Sequence, residues 1–461
     1  MDREADHQTS VILWGLAGMG FLLRLWALPL WGTFDTEVQK AWSARAATAG
    51  VADIYGPPDV ELVRRARERG GSLLQVATVP VPENRFRWGT ATYIVDYPPG
   101  SVLVLWAAGK LYAWLRPDMP NRPLFNAAIN VAPLAASAAI AVLLARSVPG
   151  LMGWRRALLF WLNPAVFLAA PMHGYQDPIF GLIALAAVLA LMRGRHVLAT
   201  ALVVASGLVK PQGALLVPVL VAVAVRETRP ATWLRAVLAG AAVGALVLLP
   251  WWATGHLISA LDGSLRPLRQ GTLAALGFNV WWIAGYALEW ARSGPWPLAD
   301  VVGIEDFRAW AGWDPRAVSR VLLAASTAAI LYLLLRRPRE DRWMIPLAVI
   351  LQVHAYALFA TSVHENHTFL AVVLAPLLIG EWPKASAALA GTSAFLFANM
   401  FLTAGFGRRI TPLRVVNRIR LLPRLDLSVV VAAADVVFFA ALIYWTLAAR
   451  PPRDETTPAA G

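Results

Sequence analysis

The chain of 461 residues contains no cysteine, so no loop is held by a disulfide and no thiolate is available as nucleophile or metal ligand. Charge is scarce as well: Asp, Glu, Lys and Arg together make up 15% of the sequence. The first hydrophobic run, 11–30, contains Arg24 and has no small-residue cleavage site behind it, so it reads as an uncleaved signal anchor. The zinc pattern H-E-x-x-H is missing: in Val363-His364-Glu365-Asn366-His367 the second histidine comes one residue early.

What is there is hydrophobic. Apolar residues make up 58% of the chain, the mean hydropathy is +0.55, and apolar runs repeat from residue 11 to residue 448. That pattern predicts an all-α, polytopic membrane protein whose first partner is the lipid bilayer. Many of the 21 tryptophans stand at run ends, as Trp31, Trp154, Trp251, Trp252, Trp343 and Trp382 do, where interfacial anchoring places them. A net charge of +13 in a soluble protein would point to nucleic acid. Here the arginines lie between hydrophobic runs, which is the pattern of headgroup and cytoplasmic anchoring, so no nucleic-acid partner is expected.

Twelve segments have spanning character: 11–30, 123–146, 156–172, 177–193, 196–209, 212–226, 231–254, 317–336, 343–361, 367–381, 385–404 and 427–448. The expectation is a bundle of about 12 helices (range 11–14), a helix needing about 20 residues to cross a ~30 Å hydrocarbon core. Arginine-rich connections at 146–156, 193–195, 226–235 and 336–339 belong on the cytoplasmic side. Parity then makes 31–122 one external segment with in-plane helices, 99–115 lying along the surface. It also makes 255–316 external, 273–292 not crossing. The loop 405–426 is the misfit, because its six arginines (408, 409, 414, 418, 420, 424) then fall outside.

This topology gathers the unusual polar residues at one face: Asp35 and Glu37, then Asp96-Tyr97-Pro-Pro99, then His173-Gly-Tyr-Gln176-Asp177, then Lys210-Pro-Gln212, then His364-Glu365-Asn366-His367. Each has a structural reading. Asp35 can cap a short helix over 36–49 with Val38, Trp42, Ala46 and Ala49 on one face; Asp96 and Asp177 can cap the helices that follow them; Lys210 can snorkel. The His364–His367 group is harder to dismiss, since titratable groups at a span end usually have a function.

Taken in order, the segments Asp35-Thr-Glu-Val-Gln-Lys-Ala-Trp42, Asp96-Tyr-Pro-Pro99, His173-Gly-Tyr-Gln-Asp177, Lys210-Pro-Gln-Gly-Ala-Leu-Leu and Val363-His364-Glu365 resemble motifs of one family. It is the dolichyl-phosphate-glucose-dependent glucosyltransferases of the Alg class with their bacterial relatives, which are GT-C integral membrane glycosyltransferases. The resemblance covers roughly the first four-fifths of the chain. It departs from the family where Asn366 replaces a lysine and where Gln176-Asp177 replace Tyr-Asn. It implies a GT-C-like catalytic module over 1–385, followed by C-terminal transmembrane helices and a short tail over 386–461. It also implies a multi-pass protein of a bacterial plasma membrane with its site on the external face.

The implied reaction moves a hexose, glucose or mannose, from a polyprenyl-phosphate carrier to a glycan or glycolipid acceptor with inversion. An acceptor hydroxyl must lose its proton as it attacks, and Asp35 is the expected general base. The lipid phosphate leaving group needs cations, for which Lys210 and His364 are the candidates, with Arg24 third. Glu365 would orient His364 and raise its basicity. Glu37, Asp96, Tyr97, His173, Gln176, Asp177 and Gln212 complete the expected substrate-binding set. With these cations no metal and no cofactor is required. The competing reading is a transporter of polyprenyl-linked lipid or polysaccharide, opposed by the absence of an inverted repeat and by polar clusters that keep to one face rather than the midplane.

Overall fold

The computed structural model describes residues 2–68, 84–295, 297–407, 420–422 and 425–449. Arg408, Arg409, Arg414, Arg418 and Arg424 of the basic loop, and the tail from residue 450, lie outside the described residues. Most of the described residues are helical; the strands among them form two short antiparallel hairpins, Phe86–Trp88 with Ala91–Tyr93 and Arg420–Leu422 with Leu425–Asp426.

Five helices are long and apolar enough to cross a membrane: Pro123–Ala145, Pro230–Ala253, Pro315–Leu335, Ala385–Ala404 and Leu427–Ala448. Shorter apolar helices occupy Val11–Ala27, Asp177–Met192, His196–Val209, Met344–Phe359 and Phe369–Leu378. The chain is a multi-pass membrane protein. Prolines and short polar side chains set the helix starts. Pro123, Pro230 and Pro315 stand at the first helical position, where a missing N–H costs nothing. Asp314 and Asp426 accept from Arg316 N and Ser428 N at 2.9 Å each, and Asn279 accepts from Trp281 N and Trp282 N.

Three of the twelve expected crossings are divided. Segment 156–172 is the end of helix Gly150–Trp161, a short turn Pro164–Phe167 capped by Asn163, and a π turn Leu168–Met172 around Pro171. Segment 212–226 starts as a 3₁₀ turn, Pro211–Leu216, and segment 367–381 is helix Phe369–Leu374 followed by the 3₁₀ turn Ala375–Leu378. Proline breaks the hydrogen-bond ladder in each; such breaks survive at membrane depth where protein surrounds them, and 369–378 is buried throughout. Helices Pro99–Leu115 and Val280–Ser293 are not among those apolar enough to cross.

The main core is built from helices 177–192, 196–209, 344–359 and 369–378, and the helices after 385 pack into it through Leu389, Leu396, Met400, Phe439 and Leu442. A second core lies beside it, where helix Phe34–Ala49 packs on Pro99–Leu115 around Trp42, Tyr55, Leu105, Tyr112 and Phe125. The two ends of the bundle differ in chemistry. At one end, guanidinium groups bind backbone carbonyls: Arg156 reaches Ile379 O at 2.8 Å and Glu381 at 3.0 Å, and Arg337 reaches Thr446 O at 2.9 Å. The helices carry the chain from there to the other end, where the polar motifs meet.

Candidate functional site

Helix Phe34–Ala49 begins two residues earlier than the cap reading of Asp35 requires. Thr33 is the N-cap, and Asp35 sits in the first turn, half-buried and without a capping bond. The threonines around it hold the helix start against the 173–176 turn instead: Thr36 Oγ donates to His173 O at 2.9 Å and Thr33 N donates to the same oxygen at 3.3 Å. The turn depends on Gly174. Its φ is 75°, and a Cβ there would lie 2.6 Å from Thr36 Oγ, so only glycine fits. One helical turn on, Gln176 Nε2 donates to Gln39 Oε1 at 3.1 Å.

The back of the same helix is fixed by the 94–105 segment. Ser43 Oγ donates to Leu105 O and Trp42 Nε1 to Ile94 O, each at 2.7 Å, and the Trp42 and Tyr97 rings lie 5.2 Å apart. Tyr55 donates to Tyr97 O at 2.6 Å, and Ser101 Oγ donates to Val209 O at 2.6 Å, which brings Lys210 to the same end.

Lys210 does not snorkel. Its ammonium forms a buried ion pair with Asp177 Oδ1 at 2.6 Å, and Asn366 Nδ2 donates to Asp177 Oδ2 at 2.8 Å. Tyr175 donates its hydroxyl to Glu365 Oε1, while Glu365 Oε2 is buried with no hydrogen-bond partner in the protein. The loop carrying His364 and Glu365 is laced to the 270–277 segment. Ala275 N and Gly277 N donate to Val363 O at 3.0 and 2.9 Å, and Ser362, strained at φ 59°, donates its hydroxyl to Thr272 O at 2.8 Å.

Electrostatics follow from this crowding. Burial pushes the Asp35 carboxyl up to about 6 from its ordinary 3.8; the Glu365 carboxylate adds to the rise, His364 and Lys210 oppose it, and Asp177 adds a further small push. Burial also raises Glu365, partly relieved by the Tyr175 hydroxyl and Lys210. His364 is held below its ordinary value by desolvation and Lys210, against the pull of Asp35. It therefore presents a neutral imidazole near neutral pH. Burial, with the surrounding carboxylates, holds the Tyr97 and Tyr175 phenols well above their usual range, so both stay protonated donors.

The structure thus brings Asp35, Tyr97, Asp177, Lys210, His364 and Glu365 into one electrostatic neighbourhood, with Asp96 at its edge beside Tyr97 and Tyr55. Gln176 borders it through Gln39. His173 supports it from behind: it is buried, lowered to about 4, and donates from Nε2 to Gly405 O at 2.8 Å. Three expected residues sit elsewhere. Arg24 donates to Trp161 O at 2.6 Å and to Gly20 O at 3.1 Å, its guanidinium 3.8 Å over the Trp161 ring, which fastens the first helix rather than facing a ligand. Glu37 is taken by Lys40 at 2.7 Å and Asn121 at 3.0 Å. Gln212 is buried in its 3₁₀ turn, and its Oε1 meets no donor.

The expected hydrogen bond from Glu365 to His364 is not made, the gap being 4.0 Å. Gln270 takes that place at 3.2 Å from His364 Nε2, a partner sequence reasoning missed because it lies 94 residues away in an irregular loop. Tyr175, Gln39 and Asn366 stood inside the quoted motifs without assigned roles. Chemically, the site offers a carboxyl poised to exchange a proton near neutral pH, an ammonium with two free donor positions, and phenol and amide donors suited to hydroxyl-rich ligands. Among the described residues no group of three or more His, Asp and Glu side chains is arranged to hold a metal ion.

Neither a scan against protein-family models nor a search of curated proteins gives a match.

Proposed function

We propose that the chain is a GT-C-type membrane hexosyltransferase that moves glucose or mannose from a polyprenyl phosphate to a glycan or glycolipid acceptor on the outer face of a bacterial plasma membrane. The observation that carries the reading is Asp35: a half-buried carboxyl at about 6, surrounded by Glu365, His364, Lys210 and Asp177. A general base is most effective when its pKa lies near the working pH, and perturbed carboxyls of this kind cluster at functional sites.

In this reading Asp35 takes the proton from the acceptor hydroxyl as its oxygen attacks the anomeric carbon from the face opposite the phosphate. The C1–O bond to the phosphate breaks, and its electron pair stays on the departing polyprenyl phosphate, which gains one negative charge. Lys210 meets that charge with the donors Asp177 leaves free, while His364, its Nε2–H taken by Gln270 Oε1, lines the site as a neutral imidazole. Tyr97, Gln176, Asn366 and Asp96 are the hydroxyl-binding set. The divided helices would complete a bundle of about 12 crossings, with 31–122 and 255–316 on the outer side.

The test is incubation of purified protein with a panel of polyprenyl-phosphate sugars and lipid-linked or glycolipid acceptors, read by mass spectrometry. The expected result is one sugar transferred, with polyprenyl phosphate released. Movement of an intact sugar lipid across vesicles, with no new glycosidic bond, would replace this reading by the transporter.

A further inference from the structure

Helices Met344–Phe359 and Leu427–Ala448 carry, apart from their tyrosines, one ionisable residue each, His354 and Asp435. The fold sets these two side by side, with His354 Nδ1 3.9 Å from Asp435 Oδ1, at exposures of 0% and 6%. A third helix, Ala385–Ala404, carries no ionisable residue and supplies Thr392, whose hydroxyl lies 3.0 Å from His354 Nε2. His354 Nδ1 and Asp435 Oδ1 have no hydrogen-bond partner in the protein. Lone ionisable groups buried in mid-helix carry a desolvation cost if charged, and such residues usually have a function.

The pair is not isolated. Asp435 lines a narrow internal cavity whose other walls include His364, Glu365, Thr368 and Asn399. The cavity therefore joins the membrane-buried pair to the side of the site where Glu365 Oε2 is unpartnered. Among the described residues neither forms another ion pair; of the helices packed on Met344–Phe359, Asp177–Met192 carries Asp177, held by Lys210, and Val217–Glu227 carries Arg226 and Glu227, which pair with each other. On the helices packed around them, Tyr356 and Tyr444 share their own helices. Tyr286, Glu289 and Arg292 lie on Val280–Ser293, where Glu289 and Arg292 pair at 3.7 Å. Arg316 and Arg320 stand in the first two turns of Pro315–Leu335, and Arg316 binds Gln270 O. Helix 369–378 carries no ionisable group.

We propose that His354 and Asp435 form a proton-holding pair that exchanges protons with the Asp35 site through Glu365 and the cavity between them. This rests on the hexosyltransferase reading for the source of the proton. Each transfer forms one C–O bond, breaks one C–O bond and delivers the acceptor's proton to Asp35. The proton passes to Glu365 and then to the pair, leaving Asp35 ionised, and returns to solvent when the products leave. Asp435 acts through Glu365 and touches no reacting atom, so it is a positioning residue for the proton.

Two arms test the proposal. Without substrate, infrared difference spectra of wild type against Asp435→Asn, titrated through neutral pH, should show a carboxyl band that the variant lacks. The midpoint of that band should move in Glu365→Gln. No titrating band, or a midpoint indifferent to Glu365→Gln, overturns the pair. With substrate, Asp435→Asn and His354→Gln should each lower kcat by ~10-fold with donor affinity kept, and formate should restore the rate, as it does when a missing proton carrier is replaced. A double variant with leucine at both positions that folds and turns over like the wild type makes the pair merely structural and also overturns the proposal. If the wild type transfers no sugar, the hexosyltransferase reading fails while the infrared arm still decides the pair.

Discussion

Arg156, at the end of the bundle near the 145–150 turn, spends its guanidinium on Ile379 O, Ser147 Oγ and Glu381. Glu365, at the opposite end, places one oxygen on Tyr175 and leaves the other without a partner. The two regions bury charge in opposite ways. Around Arg156, Glu227 accepts both nitrogen–oxygen contacts of Arg342 at 2.8–2.9 Å, and Arg337 closes the last turn of helix Leu427–Ala448. Cations there meet helix C-terminal carbonyls, where backbone dipoles favour them. Around Glu365, three carboxyl groups share one ammonium and a neutral imidazole, and Asp35 is raised as a consequence. Saturated charge fixes geometry; unsaturated charge has capacity left for a ligand or a proton.

That contrast is tested first where the effect is largest. Asp35→Asn should reduce turnover ~10²–10⁴-fold, the usual loss when a general base is removed. It should also leave the fold intact or firmer. Because the folded-state value near 6 lies above the ordinary 3.8, the folded protein holds more protons between those values than the unfolded chain. Stability from this group is therefore present at low pH and lost as pH rises from about 4 to about 6. Thermal melts of the asparagine variant should lack that decline, and turnover close to wild type would break the contrast at its centre. Lys210→Met should lower kcat by ~10²-fold and donor affinity by less, since the phosphate charge peaks as the bond breaks. Equal losses in both would make Lys210 a ground-state anchor.

At the other end, Arg156→Met should cost about 2 kcal/mol of stability, measured by thermal or denaturant unfolding in detergent, with kcat of the folded protein unchanged. A turnover loss without a stability loss would erase the distinction between the two ends. The smallest effect belongs to Glu37→Gln, whose amide oxygen keeps the Lys40 bond and gives up only the exposed one from Asn121, so assays and melts should both stay near wild type.

The convergence of Asp35, Asp96-Tyr97, Asp177, Lys210 and His364-Glu365 was legible because each stands at the end of an apolar run, and parity alone sends those ends to one face. Side-chain partners were not legible. Asn366 meets Asp177 across 189 residues and Tyr175 meets Glu365 across 190, and such pairs depend on packing directions that no local period encodes. Arg24 looked like a site residue because a charge inside a hydrophobic run suggests function; helix Gly150–Trp161 ends at Trp161 and Ala165 N donates to Asn163 Oδ1, which leaves Trp161 O free to take it instead. Several expected crossings are short for a full span, but where they break is not legible, because apolar runs hide proline breaks such as Pro171 and Pro376. His354 and Asp435 went unpaired in sequence for the same reason as Tyr175 and Glu365.

The most direct test of the central claim is the pH dependence of kcat/KM for sugar transfer, wild type beside Asp35→Asn. Activity should rise with pH through an inflection near 6, where Asp35 loses its proton, and the variant should show a low rate with that inflection gone. An inflection that persists unchanged in the variant would contradict the assignment of Asp35 as the base.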